Sequence, residues 1–218
     1  MSVEDSADGA KGWIFFGASL NQKSADALKR RVDSYQREGV DQIHLIISSA
    51  GGDPLFGIDL HSYLHRLPIK VVSYNISLVQ SAAVPVFCAG SERYCVPEAT
   101  FMMHKVLLQS ASGQILDSDM LRNAAAQSDP NSANELEESA TYCDLGTWKI
   151  AKIVADTTNQ DVNTVLSDMA KTARFNAEES VAYGLANAVV PNFSLAHISC
   201  VIIEKDGTLH EVSRRPRS

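Results

Sequence analysis

The strongest constraint on the fold is a regular alternation between short apolar runs and amphipathic segments in the first half of the chain. The runs at 13–16, 43–47 and 69–74 are rich in aromatic and branched aliphatic residues, as buried strands are. The segment at 23–38 has apolar residues at three- and four-residue steps, and a second helical pattern ends before Pro68. Strand and helix patterns that repeat about every 20 to 30 residues predict βαβ units, and therefore an α/β fold with a mostly parallel sheet.

The predicted pattern of secondary structure changes in the middle of the chain. A short helix is predicted over 81–89, followed by strands at 94–96 and 100–103. From 114 to 170 the pattern is helical, with an interruption at Asp129-Pro130-Asn131. This long helical region separates the predicted sheet from the last helix of the domain.

That last helix has a recognisable start. Asn176 and Glu179 have the three-residue spacing of a reciprocal capping box, and Gly184 is expected to end the helix. A short strand is predicted directly afterwards, over 188–190.

The C-terminal segment is predicted to be a β-hairpin appended to the domain, because Asp206-Gly207 separates two apolar runs. The chain is therefore expected to comprise a flexible N-terminus at 1–12 and one domain at 13–192. The helical region of that domain spans about 110–170, and the hairpin and a basic tail occupy 193–218.

Composition excludes several functional classes. The chain has 19 lysine and arginine residues against 26 aspartate and glutamate residues, a formal charge of −7, which argues against nucleic-acid binding. The basic residues Arg214, Arg215 and Arg217 are interpreted as a solvated terminus. No apolar run is long enough to span a membrane, and the acidic first eleven residues do not resemble a signal peptide. Four cysteines without a C-x-x-C pair indicate a reducing compartment, so a cytoplasmic location is expected.

Paired glycines are the first candidate for chemistry. Ser49-Ala50-Gly51-Gly52 follows a predicted buried strand, where glycines let backbone N–H groups approach a ligand. In acyl transfer, each such donor can stabilise a developing oxyanion by roughly 3 kcal/mol. The alternative is a tight strand-to-helix turn without a ligand.

Ser81 and His104 are the second candidate. Ser81 lies between a predicted strand and a predicted helix, where unpaired N–H groups favour an anionic intermediate, although no G-x-S-x-G motif is present. His104 ends an apolar strand 23 residues further on. Ser81 is either a nucleophile or a helix-capping serine, and His104 is either its general base or a hydrogen-bonded core residue. No spacing of metal ligands is found, so neither a metal nor another cofactor is expected.

In this order, and over about 13–190, these segments resemble the proteolytic subunit of the Clp protease in the Clp/crotonase superfamily. The resemblance implies repeated ββα/βαβ units and a helical handle insertion, and the predicted C-terminal β-hairpin is an addition to the family's pattern. The stretches that carry it are Ile46-Ile47-Ser48-Ser49-Ala50-Gly51-Gly52, Gln80-Ser81-Ala82-Ala83, Tyr94-Cys95-Val96-Pro97, Met102-Met103-His104, Arg174-Phe175, Ala177-Glu178-Glu179 and Tyr183-Gly184-Leu185.

The resemblance implies that Ser81 is the nucleophile, that His104 is its base, and that the N–H groups of Gly52 and Ala82 form the oxyanion hole. It further implies peptide or unfolded-protein substrates, a homo-oligomer that could be a ring, and an AAA+ unfoldase as partner. The N-terminal arm that meets that unfoldase in the family is absent from the predicted pattern, which leaves the partnership open.

Gly51 and Asp53 are expected to contact the substrate, because an extended peptide can add as a strand beside such a loop.

The sequence departs from the family at the third member of the triad. Ala173 stands where the family has an aspartate, directly before Arg174. Asp168 could replace that aspartate, or Asn176 or Thr172 could hold the imidazole by a neutral hydrogen bond. A Ser–His dyad and an inactive relative are equally compatible with the sequence.

The helices and the handle depart as well. Ala82, Ala83 and Pro85 replace the residues that the family prefers after the nucleophile, and the stretch between His104 and Arg174 is longer than in the family. In the family, the handle joins two stacked rings. The sequence therefore does not decide whether this chain forms such a double ring.

Three functions follow from these observations. The leading one is a Clp-like serine peptidase. The second is a catalytically impaired relative that serves as a scaffold or regulatory subunit, which Ala173 favours. The third is a crotonase-like acyl-CoA enzyme, which would not need the Ser81–His104 pair. Self-association is expected because Leu145, Trp148 and Ile150 add apolar surface to the helical region.

Overall fold

The computed structural model describes residues 10–191, 193–194, 199–204 and 206–212. It confirms the predicted α/β class. The strands are β1 (Lys11–Phe16), β2 (Gln42–Ser49), β3 (Lys70–Gln80), β4 (Glu92–Cys95), β5 (Thr100–Met103), β6 (Leu108–Gln109), β7 (Ile115–Leu116), β8 (Ala173–Phe175), β9 (Ala188–Val189), β10 (Cys200–Ile203) and β11 (Leu209–Val212). The helices are α1 (Gln22–Arg37), α2 (Pro54–His65), α3 (Ala83–Cys88), α4 (Ser118–Ala125), α5 (Pro130–Thr158), α6 (Val162–Ala170) and α7 (Ala177–Tyr183).

The central sheet has the strand order β11-β10-β1-β2-β3-β4-β9, with β5 also paired to β3 and β8 paired to β5. The pairs from β10 through β9 are parallel, whereas β11 and β8 run antiparallel to their neighbours. Alternate side chains of β1 and β2 enter different clusters. Ile14 and Leu45 lie in the main core with the helices, and Trp13 and Ile46 belong to a smaller cluster on the other face.

Strand β3 decides where the candidate site lies. The sequence predicted a strand that ends at Tyr74, but β3 continues to Gln80 and changes partner on the way. Its first part pairs with β4, and Leu78–Gln80 pairs with β5, which places Gln80 beside Met102. The ends of β3 and β5 therefore meet at one edge of the sheet, directly before Ser81 and His104.

The helical region differs from its prediction in two places. Near its start, Ile115–Leu116 forms strand β7, which pairs with the preceding β6 in a two-stranded hairpin, instead of a helix. A second break falls at Asn159, which has a left-handed φ of 57° and separates α5 from α6. The predicted break at Asp129 is confirmed, since its side chain caps α5.

The capping box at Asn176 and Glu179 is confirmed, and α7 ends at Gly184 with a φ of 94°. The C-terminal hairpin also forms, but β10 pairs in parallel with β1, so the hairpin extends the central sheet instead of standing apart from it. The basic tail at 213–218 and residues 1–9 lie outside the described residues.

The expected apolar surface of the handle is partly confirmed. Leu145 and Trp148 are 51% and 49% exposed, whereas Ile150 is buried in the main core. Within the described ranges, no helix is both long and apolar enough to cross a membrane. The same residues hold no group of three or more side chains suited to a metal ion.

Candidate active site

Ser81 occupies a sharp turn between β3 and α3. Its φ is 53°, a left-handed value that non-glycine residues rarely adopt, and such outliers are enriched at functional sites. Its N–H donates to the carbonyl oxygen of Met102 at 2.8 Å, and its own carbonyl accepts from the N–H of Val84 at 3.0 Å. The helix that was predicted to begin at Ser81 begins instead at Ala83. Ser81 is therefore held by the backbone before the helix and does not act as its side-chain cap.

Gly51 makes the close approach to Ser81 feasible. A Cβ on Gly51 would lie 2.7 Å from the carbonyl oxygen of Gln80 and 2.8 Å from the Cβ of Ser81. Its φ of 96° also favours glycine. The glycine loop is thus packed directly against the turn that carries the serine.

Gly52 is held by a parallel bridge to Leu20. Leu20 donates its N–H to the carbonyl of Gly51 at 2.8 Å and accepts from the N–H of Asp53 at 2.9 Å. Because Leu20 bonds to the residues on either side, the N–H of Gly52 points away from it. A Cβ on Gly52 would lie 2.4 Å from the carbonyl oxygen of Leu20, so only glycine fits.

Two backbone donors remain available at this edge. Among the residues that the structure describes, the N–H groups of Gly52 and Ala82 have no acceptor, whereas the N–H of Gly51 donates to the Ser49 hydroxyl at 3.2 Å. Gly52 is exposed, and Ala82 directly precedes α3. Unpaired backbone N–H groups near a nucleophilic serine can stabilise an oxyanion.

His104 follows β5 and is partly buried. Its Nδ1 lies 2.5 Å from the carbonyl oxygen of Lys105, so Nδ1 carries the proton and donates it. In this tautomer Nε2 has a free lone pair, as a general base requires. The sequence did not indicate this role for Lys105, because a backbone acceptor leaves no residue-type signal.

The segment after His104 is tied to the handle. The side chain of Lys105 pairs with Asp119 at 3.1 Å, and the N–H of Val106 donates to the Thr147 hydroxyl at 2.8 Å. Gly146 of α5 has no room for a side chain larger than hydrogen without pressing on Val106, whose Cγ2 would lie 3.1 Å from an added Cβ. Helix α5 therefore packs against the residues that follow the candidate base.

No described carboxylate bonds to His104. Ala173 pairs with Met103 in the register of β5 and β8, next to the histidine. Asp168 lies instead with Tyr183, whose hydroxyl donates to its Oδ2 at 2.8 Å. Burial and this aspartate raise the pKa of Tyr183. Among the described residues, Asp168 therefore bonds to Tyr183 and not to His104.

The two neutral candidates are also accounted for. The Asn176 side chain accepts from the N–H of Glu179 at 2.9 Å as the cap of α7. Thr172 has a left-handed φ of 55° at the end of α6, and no hydrogen bond to His104 is found within the described part of the chain.

Asp53 marks the other flank of the glycine loop. It is exposed and caps α2, its Oδ1 accepting from the N–H of Leu55 at 2.9 Å. Burial, together with the Asp53 carboxylate, raises the pKa of Tyr142 on α5. Helix α5 therefore contacts the segment after His104, and the charge of Asp53 acts on its Tyr142.

A parallel sheet that presents a serine on a strained turn, a histidine after the adjacent strand and free backbone donors has the elements of an α/β serine hydrolase. The chain belongs to the Clp protease family, whose model matches residues 9–127 and 117–193. The two matched stretches overlap at 117–127, which includes α4.

Relatives and structures agree with this assignment. The chain is 24% identical over 204 residues to the "ATP-dependent Clp protease proteolytic subunit" of Dehalococcoides mccartyi, covering 87% of this chain and 92% of that protein. It is 25% identical over 182 residues to "ATP-dependent Clp protease proteolytic subunit 2" of Treponema denticola, covering 82% of each. A ClpP1 mutant from Listeria monocytogenes has the same fold, with a TM-score of 0.66 and 19% identity over 84% of this chain and 91% of that one.

Proposed function

We propose that this member of the Clp protease family hydrolyses peptide bonds through an acyl-enzyme on Ser81. The observation that carries the proposal is the left-handed turn of Ser81, packed against the glycine loop, together with the N–H groups of Gly52 and Ala82, which have no acceptor among the described residues. An oxyanion formed at Ser81 would meet donors that need no reorganisation, which is how such sites lower a barrier.

The first step uses His104 as the base. The Oγ of Ser81 attacks the substrate carbonyl carbon while its proton moves to Nε2 of His104, and the carbonyl oxygen becomes an anion facing Gly52 and Ala82. The C–N bond then breaks as the imidazolium gives this proton to the leaving amine. Water, deprotonated by His104, attacks the ester in the same way and releases the acid and Ser81.

The Lys105 carbonyl fulfils half of the role of a triad carboxylate. By accepting from Nδ1 at 2.5 Å it keeps Nε2 as the basic nitrogen, but it supplies no counter-charge to the imidazolium. We therefore expect a Ser–His dyad that is slower than a full triad. Asp168 is not needed for this arrangement because it bonds to Tyr183.

A second candidate is a catalytically impaired scaffold or regulatory subunit. The alanine at 173 and the engagement of Asp168 with Tyr183 favour it, because no carboxylate then stabilises a protonated His104. Both candidates share the fold and the assembly and differ only in turnover.

Assembly is part of the proposal. The relatives are named as subunits of ATP-dependent proteases, and Leu145 and Trp148 expose apolar surface on α5. We expect this surface to mediate self-association and an AAA+ unfoldase to supply unfolded substrate.

Turnover of an internally quenched peptide library by the assembled protein tests the proposal. Hydrolysis by the wild type, its loss in Ser81→Ala and its retention in Ser77→Ala are expected. Ser77 is an exposed serine of the same strand and serves as the matched control. Equal hydrolysis by wild type and Ser81→Ala would contradict the peptidase, and a wild type without turnover would favour the scaffold.

A further inference from the structure

We propose that the site selects peptides with a lysine or arginine side chain near the scissile bond, and that Asp53 binds the cation. This inference rests on the proposed function, since it assumes that a peptide lies across Ser81. It names a substrate class that the fold does not determine.

Asp53 has a fixed and accessible carboxylate. It directly follows Gly52, and its N–H is bound to the carbonyl of Leu20 at 2.9 Å. The side chain is oriented by the N–H of Leu55 at the start of α2, where a negative charge is favourably placed. A carboxylate has about four acceptor positions, and the N–H of Leu55 occupies one of them. Acceptor capacity therefore remains for an ammonium or guanidinium group.

Leu55 supplies the complementary apolar surface. Leu55 is 52% exposed and lies in the first turn of α2. Lysine and arginine place their aliphatic stems on apolar surface and keep the charged head at a polar edge. An exposed leucine two residues from an oriented carboxylate complements a lysine or arginine side chain. It complements an acidic or a purely apolar side chain less well.

The lysine that follows His104 is already neutralised. Lys105 is paired with Asp119 at 3.1 Å. The formal charge of the chain is −7, which also favours the approach of cationic peptides.

Equilibrium binding tests the inference without turnover. Fluorescently labelled nonapeptides carry lysine, norleucine or glutamate at one position, scanned over three residues on each side of the central bond. Their Kd values are measured by anisotropy on the assembled Ser81→Ala protein. At one or more positions we expect lysine to bind roughly threefold to fivefold more tightly than norleucine, as for an exposed ion pair, and glutamate to bind more weakly.

The variant Ser81→Ala with Asp53→Asn carries the test, because asparagine keeps an oxygen for the Leu55 N–H and removes only the charge. The lysine preference should fall to about onefold. Asp59→Asn is the control, since Asp59 lies on the same helix and is paired with Lys29; the preference should persist there.

Equal affinities for the three peptides, a preference that survives Asp53→Asn, or no binding of any peptide would overturn the inference. Selective binding by these variants combined with no hydrolysis by the wild type would instead contradict the proposed function alone.

Discussion

The Cα of Gly51 approaches Ser81 so closely that an added Cβ would lie 2.8 Å from the serine Cβ. The glycine loop and the candidate nucleophile are therefore one packed unit. Replacing Gly51 by alanine should destabilise the fold by roughly 2–4 kcal/mol, from a left-handed φ plus overpacking, and should reduce turnover. Urea unfolding measures the first effect.

Gly39 provides the control for this prediction. Its φ is 76°, but nothing lies within 4 Å of an added Cβ. Gly39→Ala should therefore cost only about 1–2 kcal/mol, the contribution of the backbone conformation. Equal losses for the two variants would contradict the close packing of Gly51 against Ser81.

The left-handed φ of 53° at Ser81 predicts a conflict between stability and function. Ser81→Gly should be more stable than Ser81→Ala by roughly 1 kcal/mol, because glycine alone is relieved of the backbone strain. Both variants should lose peptidase activity. Thermal unfolding measures the difference in stability between the two variants. An alanine variant as stable as the glycine variant would exclude strain at this turn.

The missing carboxylate predicts a gain of function. Ala173→Asp places a carboxylate one register position from His104 and should raise kcat by at least tenfold, since this group stabilises the protonated histidine. Ala173→Asn should give little gain, because asparagine has about the size of aspartate but carries no charge. Asp168→Asn should change kcat by less than about threefold, because Asp168 bonds to Tyr183. A large loss in Asp168→Asn would assign the third role to Asp168.

The buried His44 should make the free energy of unfolding depend on pH. It is stacked on Trp13 with ring centroids 3.9 Å apart, and burial, then Lys11 and Lys70, lower its pKa from 6.5 to about 4. The folded state thus binds fewer protons than the unfolded state between these values, so the free energy of unfolding falls as pH decreases from about 6.5 to about 4. The loss should be on the order of 3 kcal/mol.

His44→Phe keeps an aromatic ring in the stack and removes the titrating group. Urea unfolding at several pH values should give a flatter profile for this variant across the same range. His61, whose pKa is also lowered by burial, leaves a residual slope in both proteins. An unchanged profile would show that His44 does not control the acid sensitivity.

Local patterns predicted the elements that depend on neighbours in sequence. The capping box of Asn176 and Glu179 and the buried strand β2 are examples, since a side-chain cap and a run of branched residues are encoded within a few positions. The order of Ser81 and His104 behind adjacent strands was also readable, once the segments were seen to resemble one family.

What could not be predicted depends on non-local pairing. The extension of β3 beyond Tyr74 includes the polar residues Asn75 and Ser77, and distant strands supply its partners, β4 at Asn75 and β5 at Leu78–Gln80. The pairing of β10 with β1 likewise joins residues almost 190 positions apart. The orientation of His104 by the Lys105 carbonyl has no sequence signal, because every residue has a carbonyl.

Covalent labelling reports directly whether His104 activates Ser81. The assembled wild type, Ser81→Ala and His104→Ala are treated with a fluorophosphonate and their intact masses are measured. We expect one adduct per chain on the wild type and none on either variant, because only a serine activated by His104 reacts. A folded, assembled wild type that remains unlabelled, or a His104→Ala protein labelled as fast as the wild type, would contradict this activation.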